Sequence, residues 1–386
     1  MVIKILRVLG AELWRRIKAP QTLNNPVHLE KAMEWLSLAQ DINRDGGVPI
    51  RYSLVPIRNW HPAGWQPSYP ETTGYIIPTF LNYSKFVKND MYRHRAIRMA
   101  EWLVSIQKPD GSIKGGNVDS KSGSLVFDTG QVILGLLAVY RSIEKDNYLS
   151  AAKKAGDWIV SVQGESGAWE KYSFDSIPHA YYSRVSWALL ELYQICQQEK
   201  YLFSARKNIE WVLSQQKSNG WFDCAGFALK NHKEPLTHTI AYTISGVLEC
   251  GIILKDPKYI SSAIASAHAI SETIDARGYL PGTYNSEWKS SSKFSCLTGN
   301  AQLSIILLRT YEITKNPQFL YAARKINSYL KSVQRIDGKY PEINGAIPGS
   351  SPIWGKYEPY SYPNWATKFF ADALMLEEEL ERVANT

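Results

Sequence analysis

Apolar positions along the chain fall into two alternating patterns. Between residues 132 and 143, Val132, Ile133, Leu134, Leu136, Leu137, Ala138, Val139 and Ile143 leave almost no polar face. A helix that is apolar all round is buried. This run of about 12 residues falls short of the roughly 20 that span a bilayer. It reads as an inner helix, and Phe127-Asp128-Thr129-Gly130-Gln131 precedes it, with Asp128 or Thr129 as the expected cap. Similar runs recur at 74–86, 184–196, 239–254, 299–313 and 364–376.

The second pattern is amphipathic. Tyr92 and Trp102, Tyr148 and Trp158, and Tyr201 and Trp211 share one spacing, which 259–269 and 319–329 echo. In the 92–107 copy, Ala96, Ala100, Leu103 and Gln107 form a stripe, and Arg95, Arg98, Glu101 and Ser105 take the other face. That is a helical period with one wet side. Each such segment ends at a polar or Gly-rich break: Asp45-Gly46-Gly47, Asp110-Gly111, Ser166-Gly167, Asn219-Gly220, Arg277-Gly278 and Asp337-Gly338.

Two helices per unit of about 55 residues, six times over, is an architecture signal. It predicts an all-α fold, an (α/α)6 toroid of six inner and six outer helices. Closure is favoured over an open solenoid because the inner helices are too apolar to line a wet groove. The expected division is a basic amphipathic segment at 1–25 and a toroid catalytic domain at 26–386. All inner helices then start at one end, so the clusters preceding them surround one cavity.

Composition narrows the partners. Lys plus Arg exceed Asp plus Glu by 44 − 36 = 8. A basic balance suits an anionic partner, and the absence of a dense basic block or a nucleic-acid module argues against nucleic acid. Cys196, Cys224, Cys250 and Cys296 lack the pairing of a zinc site or disulfide framework. That points to a reducing compartment, hence a cytoplasmic location. Residues 1–20 mix Lys4, Arg7, Arg15, Arg16 and Lys18 with apolar positions. They read either as a helix packed on the barrel or as a peripheral contact with an anionic membrane. The oligomeric state is not legible.

The pre-helix clusters hold the candidate chemistry. The first loop carries Trp60, His61, Trp65, Tyr69 and Glu71. Glu71 either complements a helix dipole or pairs with Asp128, one repeat later. Two carboxylates at a cavity mouth are what glycoside hydrolysis needs. The third cluster brings His179, Tyr181, Tyr182 and Arg184 together, with Trp187 beyond. The fourth offers His238, with Tyr242 one turn on. Asn300 marks the fifth, where Cys296 reads as a buried small residue. The sixth holds Trp354, Tyr360, Tyr362 and Asn364, with Lys368 a turn further. Trp169 and Trp221 recur in register and read as filling between repeats. The pattern contains no P-loop, dinucleotide fingerprint, HExxH or aspartate-rich box. No cofactor is implied, and His179 with His238 lacks a third ligand for a metal.

Several motifs resemble proteins described as VpsJ-type polysaccharide biosynthesis proteins. They are Tyr69-Pro-Glu-Thr-Thr-Gly-Tyr-Ile-Ile-Pro, Phe127-Asp-Thr-Gly-Gln, Leu236-Thr-His-Thr-Ile-Ala-Tyr, Cys296-Leu-Thr-Gly-Asn-Ala-Gln and Pro363-Asn-Trp-Ala-Thr-Lys-Phe-Phe-Ala-Asp. The resemblance spans about residues 28–378. It implies a bacterial exopolysaccharide or capsule setting and an α/α-toroid, without an established reaction. At fold level it extends to polysaccharide lyases, uronyl hydrolases and glucuronyl C5-epimerases.

Three functions follow as expectations. One is proton abstraction at C5 of a uronate in an acidic glycan, by an epimerase or lyase. Arg184 would clamp the carboxylate, and a base and an acid on opposite faces of the sugar would be His179 or His238 in one role and Tyr182, Tyr360 or Tyr362 in the other. The second is a glycoside hydrolase using Glu71 and Asp128. The third is a non-catalytic glycan-binding or scaffold protein. Trp60, His61, Trp65, Tyr69, Tyr181, Trp187, Tyr242, Asn300, Trp354, Asn364 and Lys368 are the expected sugar contacts.

Overall fold

A computed structural model describes residues 2–17, 22–56 and 62–384. Helix α1 (Val2–Ile17) comes first. Val8 and Glu12 are buried on one side of it, Lys4 pairs with Glu342, and Leu6 and Leu13 face solvent. Outer helix α2 (Asn25–Asn43) begins the alternation. Strands β1 (Arg51–Ser53) and β2 (Gly64–Trp65) precede inner helix α3 (Pro70–Val87). Outer α4 (Asp90–Ile106), inner α5 (Val126–Ile143), outer α6 (Asp146–Ser161) and inner α7 (Ser183–Cys196) follow. Then come outer α8 (Glu199–Ser214), inner α9 (Thr237–Leu254) and outer α10 (Pro257–Ser271). Strand β3 (Ser295–Cys296) leads into inner α11 (Leu297–Thr314), and outer α12 (Pro317–Val333) comes next. Strands β4 (Ser350–Ser351) and β5 (Ser361–Pro363) lead into the last inner helix, α13 (Asn364–Ala384).

The inner helices pack in the order α3, α5, α7, α9, α11, α13, and α13 returns to α3 and α2. The ring is therefore closed, as the apolar inner runs require. Helices α5 and α9 are long and apolar enough to cross a membrane by length and composition, yet about two thirds or more of each is buried inside the barrel.

One device repeats around the outside. A glutamine at the end of an outer helix donates its amide to a carbonyl in its own loop and to one in the next outer helix. Gln107 Nε2 meets Gly111 O and Ala151 O at 2.9 Å each, and Gln163 Nε2 meets Gly167 O and Ser204 O at 2.9 Å each. Gln334 closes the circle, donating to Gly345 O at 2.7 Å and His28 O at 3.0 Å. The loop glycine is forced by space. At Gly111 (φ +91°) a Cβ would lie 2.2 Å from Lys154 O, and at Gly345 (φ +89°) 1.9 Å from Lys31 O. In the sixth repeat this packing glycine is Gly345; a Cβ at Gly338 would meet nothing.

Two sequence expectations change in detail. Helix α5 is 18 residues long and starts at Val126, so its N-cap is Leu125, with no side-chain cap. Asp128 and Thr129 lie in the first turn instead. Thr129 Oγ1 accepts from Ile113 N at 3.0 Å, which fastens the preceding loop. Thr73 on Val48 N and Thr367 on Ile347 N do the same, at 3.0 Å each. With the threonines holding loops, the neighbouring carboxylates are released from capping.

Strand β1 pairs antiparallel with β2 on one side and with β5 on the other, Tyr52 opposite both Trp65 and Tyr362. This small sheet joins the first and last repeats at the helix N-terminal end. It brings Arg51 and Glu358 into a salt bridge there.

Candidate active site

Glu71 and Asp128 sit in the first turns of α3 and α5 because each inner helix opens one or two residues before them. They line a cavity of about 230 Å³ at that end of the ring. The helix N-termini favour their negative charge, while burial opposes it; Glu71 is 8% exposed and Asp128 3%. Tyr69, just before α3, donates its hydroxyl to Glu71 Oε2. Asp128 Oδ1 accepts from Gly116 N at 3.0 Å.

Burial, reinforced by the Asp128 charge, holds Glu71 well above the usual carboxylate range. Burial pushes Asp128 up to about 7, against the pull of the Gly116 N–H and Tyr69. Both carboxyls are thereby pushed toward the protonated form, and near neutrality the pair can hold one proton between them, as an acid–base pair requires.

The walls are aromatic. Tyr75, Phe127, Tyr181, Tyr182, Tyr242 and Trp365 line the cavity. The Phe127 ring lies 5.2 Å from those of both Tyr181 and Tyr242. Burial raises the phenols of Tyr69, Tyr75, Tyr181, Tyr182 and Tyr242. They stay protonated, and Tyr182 Oη accepts from Phe174 N at 3.1 Å, so Tyr182 is not poised as the proton acceptor the C5 reaction asks for. His238 joins the wall, stacked 4.4 Å from Tyr242, with Nδ1 2.9 Å from Gln302 Oε1. Burial lowers its pKa to about 4, so the ring is neutral at pH 7.

The structure thus brings together Tyr69, Glu71, Asp128, Tyr181, Tyr182, His238 and Tyr242. Other candidates are placed elsewhere, and each placement has a reason. His179 sits between two loop carbonyls, Nε2 2.7 Å from Phe174 O and Nδ1 3.0 Å from Gly226 O, and as a neutral ring donates to one of them. Arg184 lies behind the wall, its Nε donating to Gln131 Oε1 at 3.0 Å, and Trp187 and Tyr242 cover its guanidinium at 5.0 and 4.8 Å. It does not reach the cavity as a carboxylate clamp. Trp187 donates to Glu191.

Asn300 donates to Ser295 Oγ, and Lys368 pairs with Asp372 beside the Phe369 ring. Asn364 ties the loops, donating to Pro49 O and Thr72 Oγ1 at 2.8 Å each. Tyr362 is buried in strand β5, and Tyr360 fastens its backbone to Leu54 and Ile353. Trp354 packs half-buried against the core, and Trp65 stacks 5.4 Å from Trp35 beside a second, open groove. Trp60 and His61 lie outside the described residues.

Sequence reading missed Arg51, Tyr75, Phe174, Phe227, Tyr357, Glu358 and Trp365, all of which line the cavity. Tyr75 was within reach, since it follows Glu71 at the same i, i+4 spacing that links His238 to Tyr242. Arg51 and Glu358 meet only because β1 pairs with β5, which no local pattern announces. Among the described residues, no group of three or more His, Cys, Asp or Glu is placed to hold a metal ion.

Residues 21–294 match the family model of the beta-L-arabinofuranosidase GH127 catalytic domain. No curated protein sequence matches the chain. Solved structures share the fold at low identity. An unsaturated glucuronyl hydrolase specific for heparin is 14% identical, with a TM-score of 0.72 over 92% of this chain and 97% of that one. A cellobiose 2-epimerase from Bacillus thermoamylovorans is 16% identical, with a TM-score of 0.71 over 92% and 98%. An unsaturated glucuronyl hydrolase from a Bacillus species, which degrades glycosaminoglycan, is 14% identical, with a TM-score of 0.71 over 93% and 97%.

Proposed function

Because this chain belongs to the family of the beta-L-arabinofuranosidase GH127 catalytic domain, it is a carbohydrate-active enzyme, and we propose that it hydrolyses the terminal glycosidic bond of a glycan with Glu71 as acid and Asp128 as its partner carboxylate. The observation that carries this reading is the buried carboxyl pair lining one cavity, Glu71 held by the Tyr69 hydroxyl and Asp128 by the Gly116 N–H, with burial pushing both toward protonation.

In this reaction Glu71 gives its proton to the glycosidic oxygen as the C1–O bond breaks. Asp128 attacks C1 or stabilises its positive charge. Water then supplies the hydroxyl at C1, and its proton returns to Glu71. A cavity of about 230 Å³ is smaller than the roughly 300–1,000 Å³ of drug-sized pockets. It has room for one sugar residue, which supports removal of single terminal sugars. The aromatic walls fit the C–H faces of such a ring, and the low-dielectric surroundings strengthen proton transfer. Trimming of a bacterial exopolysaccharide is the setting that the sequence resemblance implies.

Two sugars are the first to try: the β-L-arabinofuranose that names the family and the unsaturated glucuronic acid of the structural neighbours. Chromatography of oligosaccharides with either end tests the reading. The expected product is one monosaccharide and a chain shortened by one residue. Internal cleavage, or no cleavage of any glycan, would overturn it.

A further inference from the structure

The cavity holds one sugar, so the next residue of the glycan has to lie at the mouth. There the segment between α6 and α7 presents Phe174. It lines the cavity and is also 47% exposed, uncommon for a phenylalanine beside a polar site. Its ring lies 6.1 Å from Phe227, which comes from the segment between α8 and α9.

The backbone around it is in a disfavoured conformation. Tyr172 (φ +61°), Asp175 (φ +60°) and Ser176 (φ +53°) are all left-handed without being glycine. Such geometry persists only where the surroundings impose it, and it concentrates at binding and catalytic sites. Here the surroundings are specific. Phe174 N donates to Tyr182 Oη at 3.1 Å, and Phe174 O faces His179 Nε2 at 2.7 Å. Ser173 Oγ donates to Ile177 O at 2.6 Å, and Val126 N donates to Tyr172 O at 2.9 Å. The last bond ties the loop to the start of α5, two residues before Asp128. An apolar ring is thus fixed at the rim, in register with the reacting carboxylates. The fold gains little from it, since about half of its surface stays in water.

We infer that Phe174, backed by Phe227, is a binding platform for the second sugar residue of the glycan, the one that leaves when the terminal sugar is cut. The C–H face of that residue stacks on the Phe174 ring while the terminal sugar occupies the cavity. Departure of that residue rests on the hydrolytic reading above; its stacking on Phe174 does not.

The test separates the two. Glu71→Gln protein, with bound glycan left uncut, is titrated with an array of bacterial and plant oligosaccharides and their matched monosaccharides, arabinofuranosyl and unsaturated glucuronyl ends included. The expected result is that disaccharides bind at least 10-fold tighter than the terminal monosaccharide alone. Phe174→Ala added to Glu71→Gln should erase that gain, weakening disaccharide binding more than monosaccharide binding, and Phe174→Tyr should restore it. Because Phe174 is half exposed, the variants are expected to keep the wild-type circular dichroism. Equal preference for disaccharide with and without Phe174 overturns the platform, as does failure of Glu71→Gln protein to bind any glycan on the array. A Phe174-dependent preference in a protein whose wild type cleaves nothing would keep the platform and remove the hydrolytic reading.

Discussion

The Tyr69 hydroxyl donates to Oε2 of Glu71, two residues along the chain, across the point where loop becomes helix. That bond stabilises the charged form of Glu71, and the nearby phenol lowers Asp128 as well. It restrains two carboxyls that burial drives toward neutrality. The activity should therefore rise with pH through about 7 as Asp128 ionises, and fall again as the Glu71 proton is lost. Tyr69→Phe should move the acid limb of kcat/KM to higher pH, since it removes a donor to the ionised form. An unmoved limb would place the titrating groups elsewhere.

The same pair makes the fold sensitive to alkali. Each folded-state pKa lies above its unfolded value, so the folded protein holds extra protons between pH 4 and 7 and loses stability as they leave. Glu71→Gln and Asp128→Asn keep the hydrogen bonds from Tyr69 and Gly116 but remove a charge. Each should abolish activity and raise unfolding stability at pH 8 by on the order of 1–3 kcal/mol, with little change at pH 4. Thermal melts at the two pH values check this; equal melting shifts at both would contradict it.

The histidines act in the opposite sense. Burial lowers His179 and His238 to about 4, so the unfolded chain binds more protons between pH 4 and 6.5. Their contribution to stability is present above pH 6.5 and is lost as the pH falls toward 4. His238→Gln should flatten the acid side of the stability profile, a change measurable by urea titration at pH 4.5 and 7. An unchanged slope would mean that His238 is not held neutral.

Arg51 and Glu358 should set the charge preference of the cavity. Among the described residues Arg51 is the cation lining it, and Glu358 already pairs with Arg51. A uronate carboxylate has to compete with Glu358, whereas a neutral sugar does not. Glu358→Gln should raise kcat/KM for an unsaturated glucuronide relative to an arabinofuranoside by roughly 10-fold, the scale of one charge-assisted hydrogen bond. A ratio that stays constant would show that Arg51 does not meet the sugar.

The periodic part of the architecture was readable from sequence because it is local. Apolar runs such as 132–143 and breaks such as Asp110-Gly111 recur in order, and the closed ring follows from them. The pre-helix clusters likewise led to Glu71, Asp128, His238 and Tyr242. What stayed hidden depends on direction and on distant pairing. His179 and Arg184 stand at an inner-helix start, yet carbonyls of neighbouring loops capture one and aromatic rings cover the other. Asp128 looked like a cap because the helix was expected to begin at least three residues late. Arg51 meets Glu358 only across the β1–β5 junction.

Product analysis in isotopic water addresses the central claim most directly. An oligosaccharide substrate is incubated with the protein in water enriched in heavy oxygen and in deuterium, and its products are read by mass spectrometry and NMR. The account predicts one released sugar bearing the heavy oxygen at C1, no deuterium on ring carbon, and neither product with Glu71→Gln. An intact chain carrying deuterium at C5, or an unsaturated end without heavy oxygen, would contradict it.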